Sequence, residues 1–203
     1  MNLIWNGHAC FILESSLGRI AVDPYADDSI PGLPPLRLQA DGVFCSHEHS
    51  DHNARDVVAL SGHVHGFTVS CIDTFHDPEQ GTLRGPNRIH IFEADGLRVA
   101  HLGDLGCVLT QEQMAQLQGL DALLVPVGGF YTIDARQAQE LAEQIKPRVI
   151  VPMHYSTEGV GYDTIATVDP FLALRPDTVH YDSNVFPLTA STPAQTAVLT
   201  FPL

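Results

Sequence analysis

Three histidines and an aspartate at metal-ligand spacing are packed into six positions of this chain, His47-Glu48-His49-Ser50-Asp51-His52. They follow the apolar run Val43-Phe44-Cys45, so they stand just past the end of a strand-like segment. Three imidazoles and a carboxylate this crowded cannot all turn into a core, because burying them uncompensated is costly. A cation that neutralises and orients them removes that cost. On an extended turn, residues two apart point the same way. His47 and His49 can therefore grip one ion, while Asp51 and His52, entering the next segment, can grip a second. Zinc would stand about 2.0–2.2 Å from each nitrogen or oxygen.

Around this cluster, short apolar runs recur between turn residues. Leu3-Ile4-Trp5, Cys10 to Leu13, Ile20-Ala21-Val22, Val43-Phe44-Cys45 and Thr68 to Ile72 read as strands. So do Arg88 to Phe92, Leu97 to Leu102, Ala122 to Val127, Val149 to Val151 and Ala197 to Phe201. Glu14 to Gly18 and Asp95-Gly96 read as hairpin turns. Helices are expected at Ala54–Leu60, at Gln111–Leu117 behind Thr110 as N-cap, at Asp134–Ile145 and at Asp169–Leu174. Asp134 with Gln137 three residues on has the pattern of a capping box, and Pro147 ends that helix. Hairpins followed by alternating strands and helices predict an α/β fold, an αββα sandwich of two mixed sheets flanked by helices. At 203 residues and 44% hydrophobic, with no repeat or linker, the chain reads as one domain over residues 1–203.

Acidic residues outnumber basic ones by 24 to 10, for a formal net charge of −14. Such a surface repels phosphate backbones and anionic membranes. Neither nucleic acid nor a membrane is an expected partner, whereas a local basic pocket can still hold a small anion. Cys10, Cys45, Cys71 and Cys107 lack metal-finger spacing and lie in or beside apolar runs, so buried free thiols in a reducing compartment are expected. Met1 to Glu14 has no basic start and no long apolar stretch, and no run is long enough to span a bilayer. A soluble cytoplasmic protein is expected. The oligomeric state is open.

The pattern His-x-His-x-Asp-His after a strand resembles the signature of the metallo-β-lactamase superfamily, and further landmarks of that family follow in order. The resemblance implies that His76 completes the first ion's shell and that His154, in Val151-Pro152-Met153-His154-Tyr155, is the last ligand of the second. It implies that Asp104, in His101-Leu102-Gly103-Asp104, bridges the two ions. Asp23, after Ile20-Ala21-Val22, matches the family's early strand-end Asp and is expected to accept the other N–H of a ligating histidine. Trp5-Asn6-Gly7-His8, Val125-Pro126-Val127-Gly128-Gly129 and Pro152-Met153-His154-Tyr155 are similar to the branch of small metal-dependent hydrolases that includes the ascorbate-6-phosphate lactonase relatives.

The resemblance implies a cofactor of two divalent ions, zinc first, with manganese or iron as alternatives. Ions about 3.5–4 Å apart lower the pKa of a water between them and hold it as hydroxide. Asp51 and Asp104 are the candidate catalytic residues, orienting that nucleophile or moving its proton. The expected activity is hydrolysis of a small ester, lactone or phosphoester. Two other readings stay open. One is an iron-dependent redox enzyme on the same fold, although flavodiiron proteins usually carry Glu where His49 stands. The other is a non-catalytic metal-binding protein, against which the full ligand set argues.

Other residues have two readings each. His8 is divided between substrate contact and structure. Asp77, beside His76, is either a support for a ligating ring or part of a solvated loop. Arg84, Asn87 and Arg88 are candidates to hold an anionic group of a small-molecule substrate, or are surface residues. Gly128 to Tyr131 can shape a pocket rim, with Tyr131 and Tyr155 as candidate walls. His101 is expected to pack or support a ligand, and His63, His65, His90 and His180 to lie at the surface or an edge.

Overall fold

The computed structural model describes residues 1–201. Positions 202 and 203 of the expected domain lie outside the described residues. In chain order the strands are β1 (Asn2–Trp5), β2 (Phe11–Ser15), β3 (Gly18–Val22), β4 (Leu38–Ala40), β5 (Gly42–Phe44), β6 (Val58–Leu60) and β7 (Thr68–Phe75). Then come β8 (Pro86–Ala94), β9 (Leu97–His101), β10 (Ala122–Pro126), β11 (Val149–Met153), β12 (Thr178–Tyr181), β13 (Val185–Pro187) and β14 (Gln195–Leu199). The helices are α1 (Gln111–Gln116), α2 (Ala135–Ile145) and α3 (Asp169–Leu172).

Two mixed sheets form the sandwich. One runs β13-β1-β2-β3-β5 and the other β12-β14-β11-β10-β9-β8-β7. Phe11 and Leu13 of β2 enter the main core together with Ile89, Ile91, Val99 and Leu124 of the larger sheet. Ile12, between them, points to the opposite face, because side chains alternate along a strand. There it packs with Ala21, Ala40 and Val58. The smaller sheet is thus buried on both faces, its outer layer being the β4-β6 ribbon and the loop carrying Tyr25, Ile30 and Leu36. On the larger sheet, α2 contributes Ala138, Ala142 and Ile145 to the core and α3 contributes Phe171. The parallel central strands β10 and β11 are buried along their whole length, as strands covered on both faces must be.

Local signals place most elements. Asp134 and Gln137 make the reciprocal capping box of α2, and Thr110 and Gln113 make that of α1. The hairpin expected at Asp95-Gly96 joins β8 to β9, with both residues at positive φ. The helix expected over Ala54–Leu60 is corrected to a 3-10 turn, Arg55–Val57, followed by β6. Ala54 supplies no capping hydrogen bond, and Val57-Val58 is a β-branched pair that favours extended chain. The expectation of four buried thiols is also corrected, since Cys71 is exposed on β7, the edge strand, and Cys107 is half-buried. His90, expected at the surface or an edge, is buried in β8, an interior strand, where it stacks on Phe92 with ring centroids 5.7 Å apart. Among the described residues, no helix is long and apolar enough to cross a membrane.

Candidate metal centre

Strand direction brings the distant candidates to one edge. β3 runs parallel to β5, and β1 runs the same way because β2 lies antiparallel between β1 and β3. In the larger sheet β9, β10 and β11 are parallel, and β7 matches them because β8 is antiparallel to both β7 and β9. The chain therefore leaves β1, β3, β5, β7, β9 and β11 at their C-terminal ends, just before His8, Asp23, His47, His76, Asp104 and His154 respectively.

Three groups of donors form there. His47, His49 and His76 have ligating atoms within 4.8 Å of one another, as do His8, Asp51, His52 and His154. His47, His52 and Asp104 form a third group that links the first two. All seven expected ligands are thus brought together, with His8 as an eighth donor. Asp104 sits centrally. One oxygen lies 3.3 Å from His52 Nε2, and the other lies 3.2 Å from His76 Nε2 and 3.1 Å from His154 Nε2.

For His76, His52 and His47 the ring nitrogen that faces away from the cluster is held by an acceptor. His76 Nδ1 donates to the Tyr131 carbonyl at 3.0 Å, and a carbonyl can only accept. His52 Nδ1 donates to Asp23 Oδ2 at 2.8 Å. Asp23 also accepts from Ser46 N at 2.7 Å and Ser46 Oγ at 2.6 Å. With its hydroxyl proton given to Asp23, Ser46 Oγ accepts from His47 Nδ1 at 2.9 Å. One carboxylate therefore orients His52 directly and His47 through Ser46, with both Nε2 atoms aimed into the site. This is the role expected of Asp23. His101 Nε2 donates to the Ala9 carbonyl at 2.8 Å and its Nδ1 accepts from Gly103 N at 3.1 Å. Its ring is fully used and offers no lone pair to an ion, in keeping with a supporting role.

These donors fit a cation. His8 Nε2, His47 Nε2, His52 Nε2 and Asp104 Oδ1 are buried without a hydrogen-bond partner, and such groups are costly unless something satisfies them. Burial and the neighbouring His52 push His47 down to about 3, so its ring is neutral at ordinary pH. Burial and His154 likewise push His8 down to about 4. His52 differs. Burial lowers it, but Asp104 and Asp23 outweigh burial and raise it well above the usual histidine range. Burial would raise Asp104, yet His154 and His52 hold it well below the usual carboxylate range.

The loops around the cluster sort the remaining candidates. The donors open on a cavity of about 270 Å³ walled by Arg84, Tyr131 and Tyr162. The Arg84 guanidinium lies 5.6 Å from the Tyr131 ring centre, and no acidic residue pairs with it among the described residues. Asp77 supports no imidazole. It accepts backbone N–H groups of Glu79, Gly81, Leu83 and Arg84, and so shapes the loop that presents Arg84.

Asn87 and Arg88 do not line the cavity, which corrects their reading as anion holders. The Asn87 amide donates to Thr74 Oγ1 and the Leu102 carbonyl, and its Oδ1 accepts from Asp104 N at 2.9 Å. It positions the Asp104 backbone. Arg88 pairs with Asp73 at 2.9 Å on the outer surface. Tyr155 is likewise not a wall, because it is buried against Trp5 with ring centroids 5.5 Å apart. Sequence reasoning missed Tyr162, whose hydroxyl donates to the Ser29 carbonyl at 2.8 Å and lies 3.2 Å from Asp51 Oδ2. The available signal was an aromatic residue directly after Gly159-Val160-Gly161, in the loop that follows the last ligand.

Known proteins resemble this chain along most of its length. A family profile described as a β-lactamase superfamily domain matches residues 2–154. A UPF0173 metal-dependent hydrolase of Archaeoglobus fulgidus is 28% identical over 77% of this chain and 84% of its own. A UPF0173 protein of Pyrococcus furiosus is 31% identical over the same shares. A crystal structure from Thermotoga maritima, named for the metallo-β-lactamase superfamily and a zinc-dependent hydrolase, superposes with a TM-score of 0.77. It is 32% identical, over 98% of this chain and 97% of that one.

Proposed function

Because this chain belongs to the metallo-β-lactamase superfamily, we propose that it is a metal-dependent hydrolase that holds two divalent ions, zinc first among them, and cleaves a small anionic ester, lactone or phosphoester. What carries the reading is the set of buried Nε2 and carboxylate atoms without partners, grouped on both sides of Asp104. His47, His49 and His76 would hold one ion, Asp51, His52 and His154 the other, and Asp104 both. When bound, such a pair supplies Lewis acidity and a water of lowered pKa.

The chain's own groups do the rest. Burial pushes Asp51 up, but the neighbouring His8 and the charge of His52 keep it ionised well below the usual carboxylate range. Asp51 lines the cavity, and its Oδ2, within reach of His8 and His52, can orient an attacking water or take its proton. The Tyr162 hydroxyl stands 3.2 Å from that oxygen. A cavity of about 270 Å³ admits a small molecule, and Tyr131 and Tyr162 are among the residues that line it. Arg84 offers a cation to an anionic group in a chain that is otherwise strongly acidic. The resemblance to the ascorbate-6-phosphate lactonase branch favours a phosphorylated lactone or ester. Four free cysteines suit the cytoplasm.

The test is a panel of small lactones, carboxylic esters and phosphoesters offered to metal-stripped protein, with zinc, manganese or iron then restored. Hydrolysis is expected only in the restored samples. Turnover in the stripped protein, or oxygen consumption in place of hydrolysis, overturns the reading. With the best substrate, Arg84→Ala should raise KM about 10- to 100-fold and leave kcat nearly unchanged, because a charge-assisted hydrogen bond of about 1.5–3 kcal/mol is lost equally from substrate and transition state. A KM that stays the same for anionic and neutral substrates alike assigns Arg84 to the surface.

A further inference from the structure

His8 stands apart from the seven residues that the His-x-His-x-Asp-His pattern and its companions supply. It follows β1, in the sheet opposite the one that delivers His76, Asp104 and His154. Its φ is +52°, the left-handed region that a residue with a side chain enters at a cost of about 1–2 kcal/mol. That conformation is enforced from two sides. The His8 carbonyl accepts from Trp5 Nε1 at 3.0 Å and from the backbone N–H of His154 at 3.2 Å. Main chain is thus bonded directly to main chain between His8 and His154, and the two rings lie 4.0 Å apart. Strain held this firmly in one place points to a role for the side chain.

The role must explain the far nitrogen. His8 Nε2 is buried and has no hydrogen-bond partner. Its nearest acidic atom, Asp51 Oδ2, is 3.5 Å away, beyond the usual N–H···O range of about 2.7–3.2 Å. Yet Nε2 lies within 4.8 Å of the ligating atoms of Asp51, His52 and His154. An atom so placed has no mate in the protein and three neighbours that would share an ion.

We propose that His8 is a further protein ligand of the second ion, joining Asp51, His52, His154 and the shared Asp104 to give that ion five donors from the chain. The inference rests on the two-ion reading above. Five donors leave little room in a tetrahedral shell, which is the usual geometry of a zinc site built from four residues. The second position would therefore differ from the first in coordination number and in metal preference, with octahedral ions such as manganese better accommodated there.

The test is titration of metal-free protein with cobalt(II), followed by its visible spectrum, for wild type and His8→Asn. Asn tolerates positive φ, so the backbone can survive, but its short side chain cannot reach the position of Nε2. The wild type should bind two equivalents with different spectra. His8→Asn should bind the first unchanged and the second about 10- to 100-fold more weakly or worse, with an altered spectrum; loss of a ligand-supporting contact alone already costs that much. A second measurement avoids the variant altogether. In wild type with labelled imidazoles, the His8 Nε2 resonance should move on addition of the second zinc equivalent and not the first. A second equivalent with wild-type affinity and spectrum in His8→Asn, or an unmoved Nε2 resonance, overturns the proposal and leaves the two-ion reading intact. A wild type that takes only one equivalent overturns both.

Discussion

Asp104→Asn should lose one bound ion and at least about 100-fold in turnover while the chain stays folded. The loss has the size expected on removing a single preorganised electrostatic group from an active centre. Asp104 lies 3.1–3.3 Å from imidazoles of His52, His76 and His154, so its negative charge is felt on both sides of the cluster. It would offset part of the repulsion between two divalent ions, which an amide cannot do. The fold does not depend on that charge. The Asp104 backbone is held by Asn87 Oδ1, and the chain reaches it through Gly103 at φ +54°. A Cβ on Gly103 would stand 2.4 Å from Asn87 Oδ1 and from Ser46 Cβ, so only glycine fits that approach. Metal content, turnover and thermal unfolding measured on one preparation separate the outcomes. Two ions and near-normal turnover in the variant would reduce Asp104 to a turn residue.

The second large effect is expected at Asp23, a residue no ion would touch. Asp23→Asn keeps the size and tolerates the φ of +48° at this position. It changes one proton. The Ser46 N–H holds the amide oxygen at the Oδ1 position, so the amide nitrogen faces His52 Nδ1 and can only donate; a neutral His52 then presents Nδ1 as acceptor and carries its proton on Nε2. That is the nitrogen aimed at Asp104 and the second ion. Affinity for the second ion should fall about 10- to 100-fold, the usual effect of losing a contact that orients a ligand.

The pH dependence of the metal-free chain follows with its sign. Burial would raise Asp23, but His101, His52 and His47 outweigh it, and its folded pKa lies well below the usual value. A depressed carboxylate contributes stability above its unfolded pKa of about 4 and loses it as the pH falls through the folded value. Wild type should therefore lose more stability than Asp23→Asn when metal-free unfolding is compared at pH 7 and below pH 4. Equal acid sensitivity, with unchanged metal affinity, would show that Asp23 is not the orienting group.

How much of this was legible in the sequence depends on how local each signal is. His47, His49, Asp51 and His52 declare themselves because their spacing alone forces them together. His76, Asp104 and His154 do not, since no local rule says that three strand ends meet; the resemblance to a family placed them, and the parallel directions of β7, β9 and β11 explain the meeting. Asn87 and Arg88 misled because a sequence puts them beside Arg84 while β8 turns one into the sheet and the other out to Asp73. The expected helix at Ala54 failed where Val58 to Leu60 pair with β4, a contact between distant segments. Cys71 looked buried because apolar neighbours surround it in sequence, whereas an edge strand leaves one face open. Tyr162 was missed because its partner Asp51 is remote in the chain.

The most direct test of the central claim is a calorimetric titration of metal-free protein with zinc near pH 7, repeated in buffers of different ionisation enthalpy. Two ions per chain are expected, with release of at least one proton. In the metal-free chain Asp104 and Asp23 outweigh burial and keep His52 protonated, and an imidazole must give up that proton to ligate. A stoichiometry below two would contradict the two-ion centre; two ions bound with no proton exchanged would contradict only the protonated state of His52.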